Sequence, residues 1–143
     1  MARRDKRYAM RDKRYAMRDE RGEITEFALI APLILLVLIG LVNFALAGYA
    51  SAVAQQAAAY GARRGSVAQA NAGDVAVSEA QAMLSRIAVG SYQVRLLAPG
   101  GVPGTLLAVE VRWRVPNFFR RFPGLFNRDF EGRAVAFFRQ EGW

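Results

Sequence analysis

Residues 27–47 read FALIAPLILLVLIGLVNFALA, an apolar core of 21 residues inside a longer uncharged run. At about 1.5 Å per helical residue, this core can cross a hydrocarbon layer of about 30 Å. The uncharged run extends from Phe27 to Ala62, which is 36 consecutive residues without Asp, Glu, Lys or Arg. The sequence therefore predicts a single-pass membrane protein with its span at about 27–47.

Charge asymmetry sets the orientation of this span. Residues 1–21 hold nine Lys or Arg against four acids, and the cytoplasmic flank of a membrane helix retains positive charge during insertion. We therefore expect a cytoplasmic N-terminus and an exported C-terminal part that begins at about Ala50. The exported part carries eleven Arg against six acids. Its roughly 80 to 90 foldable residues are near the lower limit for a self-sufficient core, so we expect one small domain.

The composition argues against an enzyme. The chain contains no His and no Cys, which removes the commonest general base, the commonest metal ligand and every disulfide. A Ser–Lys dyad is also excluded, because Lys6 and Lys13 precede the span whereas most serines follow it. We expect no catalytic residues, no metal site and no cofactor.

The N-terminal residues form a charged leader. The heptad RDKRYAM occupies Arg4–Met10 and is repeated at Arg11–Met17. Tyr and Met supply too few apolar positions for a coiled coil, which needs three or more heptads. A solvated leader is favoured, and Met10 or Met17 are alternative translation starts.

The helix is expected to continue beyond the membrane. The stretch from Tyr49 to Ala62 reads YASAVAQQAAAYGA and is rich in alanine, the best helix former. A helix from about Thr25 to about Val67 would be about 60 Å long, roughly twice the apolar thickness. Asn43 has an amide that is able to hydrogen-bond across a contact with a neighbouring helix, although ordinary membrane-helix composition is the favoured interpretation. The alternative is a secretory signal cut after Ala47, since Ala45-Leu46-Ala47 has the small-residue pattern of such a site.

Several residues along this helix resemble those of a known family. They are Arg21-Gly22, Glu26-Phe27-Ala28-Leu29, Pro32, Gln55, Ala57-Ala58 and Gly61-Ala62-Arg63. In this order they resemble a TadE-like pseudopilin of the tight-adherence (Flp-type) pilus system, with a weaker similarity in the final segment RAVAFFRQE. The resemblance implies three regions: a basic leader at 1–22, a long N-terminal helix at 23–67, and a small exported domain at 68–143.

The resemblance also implies processing and assembly residues. A prepilin peptidase would cut between Gly22 and Glu23 on the cytoplasmic face. Glu26 would then be the fourth mature residue, whereas similar proteins carry this Glu fifth. Glu26, Phe27 and Pro32 are expected to act in assembly. The Glu26 carboxylate is expected to pair with the free N-terminal amine of a neighbouring subunit. The alternative for Glu26 is a location at headgroup depth, where its own helix N-terminus also favours negative charge.

The exported domain is predicted to be α+β. Asp74 is expected to cap a second helix over about Val75–Ala88, with one apolar face. Three strand candidates follow, at Tyr92–Leu97, Leu106–Val115 and Phe130–Arg139. The middle strand alternates Val109, Val111, Trp113 and Val115 with Glu110, Arg112 and Arg114. The prediction is a pilin-like fold, a long helix that extends into a small antiparallel sheet.

The stretch from Pro116 to Phe130 reads PNFFRRFPGLFNRDF and interleaves aromatic residues with arginines. Such a pattern is compatible with a surface for another subunit, with a satellite core, or with a site for nucleic acid or another polyanion. Partner contact and core packing are favoured over nucleic acid. The candidate partner surface consists of Phe118, Phe119, Arg120, Arg121 and Phe122.

These features converge on a structural role in pilus assembly. The expected protein is a minor pseudopilin-like subunit of a tight-adherence pilus or a related secretion apparatus, inserted in the cytoplasmic membrane. Its expected partners are other pilins or pseudopilins, the inner-membrane assembly platform, the prepilin peptidase and membrane lipid. The alternative is a permanently anchored surface protein whose basic Arg/Phe face captures an anionic polymer.

Overall fold

The computed structural model of the chain describes residues 2–121 and 128–141, with side chains over 25–120 and 128–141. The chain divides into two compact units, Met1–Gly40 and Leu41–Trp143. The predicted partner residue Phe122 lies outside the described residues. Each unit is considered by itself below.

The first unit is helical. Helix α1 is Ala2–Ser66 and contains Pro32, so it ends within one residue of the predicted boundary at Val67. No side chain between residues 25 and 40 is buried. Nine bulky apolar residues of this range are at least two-fifths exposed, whereas Ile39 is half-buried. The nine are Phe27, Leu29, Ile30, Leu33, Ile34, Leu35, Leu36, Val37 and Leu38. Helix Thr25–Ser66 is long and apolar enough to cross a membrane.

The second unit confirms the α+β prediction. The later turns of α1 are followed by helix α2, Ala72–Leu84, and by three strands. These are β1, Ser91–Pro99, β2, Leu106–Val115, and β3, Phe130–Arg139, in one antiparallel sheet of order β1-β2-β3. The bounds of β2 and β3 are those predicted. Strand β1 is longer than predicted at both ends and has an irregular register between Leu96 and Ala98.

The predicted bounds and cap of the second helix were wrong. Helix α2 begins at Ala72, so Asp74 lies in its first turn and Asn71 occupies the cap position with φ 53°. An acid in the first turn is still favoured by the helix dipole. The helix ends at Leu84, although Ile87 packs against the core. The apolar spacing continued past the helix, which is why the sequence placed the end too late.

The core is built from small residues on the helices and larger ones on the sheet. Ala50, Ala54, Ala57, Ala58 and Ala62 of α1 are all fully buried. Leu107, Val109 and Val111 of β2 are also fully buried and pack with the alanines of the two helices. Because alanine is short, the sheet and the helix backbones can approach closely.

The two residues after β3 hydrogen-bond to residues near the end of α1. The Glu141 backbone N–H donates to the Ser66 carbonyl at 3.1 Å, and the Gln140 side-chain amide donates to the Ala68 carbonyl at 2.9 Å. The Gln140 backbone also bonds to the β1–β2 loop, where its N–H donates to the Thr105 carbonyl at 2.8 Å. Three separate parts of the second unit therefore meet at Gln140.

Candidate assembly site

The predicted processing and assembly residues lie in the first unit. The backbone of Gly22 and Glu23 is helical, and their side chains are outside the described range. Glu26 and Pro32 are exposed, and Phe27 is 70% exposed. The structure thus leaves these side chains open to lipid or to a helix of another subunit, and their roles stay predictions.

Gly61 lies where α1 and α2 make their closest contact. A Cβ atom at Gly61 would collide with the carbonyl oxygen of Ala76, and would lie 2.8 Å from the Ala80 Cβ. One turn further on, a Cβ at Gly65 would lie 2.5 Å from the Ala72 carbonyl oxygen. Real Cβ atoms do not approach backbone oxygens so closely, so both positions require glycine for this packing.

The four family-motif residues of the helix divide between two faces. Gly61 and Ala62 are buried, whereas Gln55 and Arg63 are exposed. The Gln55 amide reaches the Ser51 hydroxyl at 3.5 Å, a long contact on the helix surface. The inward pair therefore serves the fold of this chain, and the outward pair is available to another molecule.

Asn43 forms a polar contact that the sequence did not predict in this form. Its side chain is 2% exposed. Its Nδ2 donates to Asn117 Oδ1 at 3.1 Å, and its Oδ1 accepts from the Phe118 backbone N–H at 3.2 Å. The Asn43 amide therefore makes its hydrogen bonds within the chain. It joins α1 to the segment that follows β2.

That segment carries the predicted partner surface. A short 3-10 helix, Phe118–Arg121, follows Asn117; we call residues 117–121 the η turn. Phe118 is 50% exposed, Phe119 is half-buried and Arg120 is exposed. Arg120 NH1 lies 3.5 Å from Asp129 Oδ1. The structure therefore brings Phe118, Phe119 and Arg120 together on one turn, while the Arg121 side chain and Phe122 are outside its description.

Three arginines on the outer face of the sheet lie against carboxylates. Glu110 is 2% exposed, although it alternates with the inward-facing valines of β2. Its Oε2 accepts from Arg112 Nε at 3.0 Å, and its Oε1 lies 4.0 Å from Arg133 NH1. Arg114 pairs with Glu131 at 2.8 Å. This face therefore carries two carboxylates among its arginines and is not uniformly basic.

One known family matches the long helix, which carries the exposed apolar residues and the tight glycine contact. Residues 24–63 match the TadE-like protein family. No curated protein and no solved structure matches the chain. Within the described residues, no group of three or more His, Cys, Asp or Glu side chains is placed to hold a metal ion.

The match confirms the resemblance of this segment to the TadE-like family. The TadE-like segment, residues 24–63, lies entirely in α1 and includes Glu26, Pro32 and the glycine contact at Gly61. It begins after Gly22 and Glu23, so the processing site is outside the match. The TadE-like segment and the candidate span together fit a membrane-anchored protein associated with the tight-adherence pilus.

Proposed function

We propose that this protein is a minor pseudopilin-like subunit that acts in assembly of a tight-adherence pilus or a related secretion apparatus. Its role is structural and not enzymatic. The helix holds the subunit in the cytoplasmic membrane and contacts other subunits, and the exported domain contacts pilins, pseudopilins or the assembly platform. The observation that carries this proposal is the match of residues 24–63 to the TadE-like family. These residues belong to an apolar helix, and a compact domain follows it in the sequence.

The exposed side chains of the first unit support helix-to-helix assembly. Between Phe27 and Leu38 the bulky apolar residues are exposed all round the helix, so lipid or another apolar helix must cover them. A helix of this kind can be stored in the bilayer and then moved into a bundle of similar helices, since both surroundings are apolar. We propose that Phe27 and Pro32 contribute to that bundle.

Processing is the second part of the proposal. A prepilin peptidase would remove residues 1–22 and expose a new amine at Glu23. That amine would be three residues from the Glu26 carboxylate of its own chain. It could pair with the Glu26 carboxylate of a neighbouring subunit. Such a pair would offset the cost of a carboxylate at the lipid boundary and would fix the axial register between subunits.

The N-terminus of the native protein tests the processing step. Intact-mass measurement of membrane-extracted protein is expected to give a chain that starts at Glu23. A start at Met1, Met10 or Met17 would favour the static anchor, and a start at Gly48 would mean an ordinary secreted domain. Either of those starts would contradict the proposal.

Co-isolation tests the role of Glu26. The Glu26→Gln and Glu26→Ala variants are expected to insert normally and to co-isolate with fewer pilus subunits. Asp74→Asn, which removes an exposed acid from α2, is the matched control and is expected to co-isolate like the wild type. Equal recovery from the Glu26 variants would overturn the pairing.

The ion pairs of the sheet weigh against anionic-polymer capture by the arginines of the sheet. Arg112, Arg114 and Arg133 already face carboxylates at 3.0, 2.8 and 4.0 Å. A polymer phosphate would have to compete with these internal acids. The alternative of an anchored binding protein uses the Arg/Phe face instead. Retention of the leader, together with polymer binding that is lost when Arg120 and Arg121 are replaced, would favour that alternative.

A further inference from the structure

The η turn is attached to α1 at a level where the rest of the helix is apolar and exposed. Asn43 is buried against the turn, with hydrogen bonds of 3.1 Å to Asn117 and 3.2 Å to the Phe118 N–H. Its neighbours on other faces of the helix are bulky and exposed: Leu41 is 61% exposed, Val42 is 51% exposed and Phe44 is 77% exposed. One face of this helical turn therefore contacts the domain while the others require an apolar solvent.

The position of Asn43 in the uncharged run places this contact near the outer boundary of the hydrocarbon. Asn43 follows Phe27 by sixteen residues, which corresponds to about 24 Å of helix. The hydrocarbon layer is about 30 Å thick. With the charged flank before Phe27 on the cytoplasmic side, the Asn43 level lies within a few ångströms of the opposite headgroups.

The η turn has the side chains that this boundary favours. Phe118 is 50% exposed. The Arg120 side chain is 63% exposed although its Nη1 lies 3.5 Å from Asp129 Oδ1, and a guanidinium has five N–H donors, so it can contact Asp129 and a lipid phosphate together. Arg128, whose carbonyl accepts from Asn117 Nδ2 at 3.2 Å, is also exposed. Aromatic rings concentrate at the membrane interface, and arginines extend to lipid phosphates there.

We propose that the η turn is a membrane-contact site that docks the exported domain on the outer surface of the bilayer and prefers anionic lipid. Phe118 enters the boundary between acyl chains and headgroups, and Arg120 and Arg128 bind lipid phosphates. The Asn43 amide satisfies the buried backbone donor of the turn, which allows a non-helical segment to lie at this depth. This inference rests on the membrane insertion that the proposed function requires.

Labelled single-cysteine variants test the site in the full chain. The protein has no cysteine, so Phe118→Cys can carry one nitroxide in vesicles of phosphatidylethanolamine and phosphatidylglycerol. Phe137→Cys is the matched control, because Phe137 is also exposed, at 60%. It lies on β3 seven residues from Phe130, which pairs with Val115 just before the η turn. Seven strand residues correspond to about 23 Å. Leu38→Cys reports insertion of the span. Collision with oxygen and with an aqueous nickel chelate measures the depth of each label.

The expected result is an oxygen-to-nickel ratio that is several-fold higher at residue 118 than at residue 137. Equal ratios at 118 and 137, with residue 38 deep in lipid, would overturn the docking site and leave the proposed function intact. An aqueous label at residue 38 would overturn both. Shielding at residue 118 that disappears when the protein is diluted in lipid would assign the turn to a second protein copy and overturn lipid contact.

Charge removal tests the preference for anionic lipid. Arg120→Gln with Arg128→Gln is expected to lower the ratio at residue 118 in phosphatidylglycerol vesicles and to change it little in phosphatidylcholine alone. Arg86→Gln with Arg95→Gln removes the same charge from two other exposed positions of the domain and is expected to have no effect. An equal loss from both pairs would show that overall charge, and not this turn, holds the domain on the membrane.

Discussion

The uncharged run of α1, residues 27–62, has two halves that are built from different residues and meet different surroundings. From Phe27 to Phe44 the helix is rich in Leu, Ile and Val, and all its bulky apolar side chains except Ile39 are exposed. From Ala50 to Ser66 it is rich in Ala, and one face is fully buried. Asn43, which bonds to the η turn, marks the start of the buried face.

In this helix, large side chains are found where it is exposed and small side chains where it packs inside the second unit. Bulky residues offer a large apolar area to lipid or to other helices. Alanine and glycine offer little area, but they let α2 and the sheet approach the helix backbone. A uniform apolar helix would have offered the domain no preferred place to pack.

Enlarging the closest contact of the small-residue half should have the largest effect. Gly61→Leu is expected to destabilise the second unit by more than about 4 kcal/mol, because its Cβ would collide with the backbone of α2. Urea unfolding of the detergent-solubilised chain measures the change. Gly48→Leu is the control, since a Cβ at Gly48 meets nothing within 4 Å. Similar losses from both variants would remove the distinction.

A charge in the bulky half should act on the membrane rather than on the domain. Leu38→Arg is expected to weaken insertion by about 2.5–3.5 kcal/mol, the usual cost of an arginine near the centre of a span. Flotation with vesicles should show the loss, and urea unfolding of the second unit should not change. Leu38→Phe keeps the apolar character and should float like the wild type. Loss of domain stability in Leu38→Arg would contradict the comparison.

Removing the amide at the boundary should loosen the η turn. Asn43→Leu takes a hydrogen-bond partner from Asn117 and from the Phe118 N–H, so a loss of about 1–3 kcal/mol is expected. Hydrogen exchange at Phe118 and Phe119 should become faster. Gln55→Leu removes an exposed amide from the same helix and should leave exchange in the turn unchanged. Unaltered exchange in Asn43→Leu would show that other contacts hold the turn.

The smallest effect is expected at Tyr92 of β1. The Tyr92 hydroxyl is buried without a hydrogen-bond partner in the described part of the chain. Tyr92→Phe should therefore be neutral or stabilise the domain by up to about 1 kcal/mol at neutral pH. Tyr60→Phe, at a ring that is 42% exposed, is the control for loss of a surface phenol.

Tyr92 also predicts a pH dependence. Burial raises the pKa of Tyr92, and the nearby Tyr49 adds to the shift. Above about pH 10 the unfolded chain releases this proton while the folded chain still retains it, so stability is complete below that pH and falls above it. Denaturation at about pH 8 and about pH 11 should show a smaller fall in Tyr92→Phe than in the wild type. An identical fall would assign the dependence to other groups.

The sequence predicted those elements whose cause is local. The apolar run, the alternation in β2 and the motif order in the TadE-like segment all depend on neighbouring residues. The bounds of α2 were less predictable, because Ile87 keeps the apolar spacing after the helix has ended. Periodicity records which residues face the core, and it does not record where the backbone leaves the helix.

The contacts that define the site depend on residues far apart in the chain. Asn43 and Asn117 are 74 residues apart, and no spacing rule connects two asparagines at that distance. The resemblance identified Gly61, but not its physical reason, since the backbone of α2 against which it packs belongs to a different element. Glu110 was placed on the correct strand, and its burial comes from arginines on β2 and β3.

The attachment of the chain end to α1 has a mechanical consequence. The second unit is fastened to the helix at Asn43 through Asn117 and at Ser66 through Glu141, two points about 35 Å apart along the helix axis. A force along the helix axis would act on both hydrogen-bonded attachments at once. It would not separate the sheet from the helix at one end first. In a chain built this way, the two contacts would share a force along the helix between both ends of the second unit.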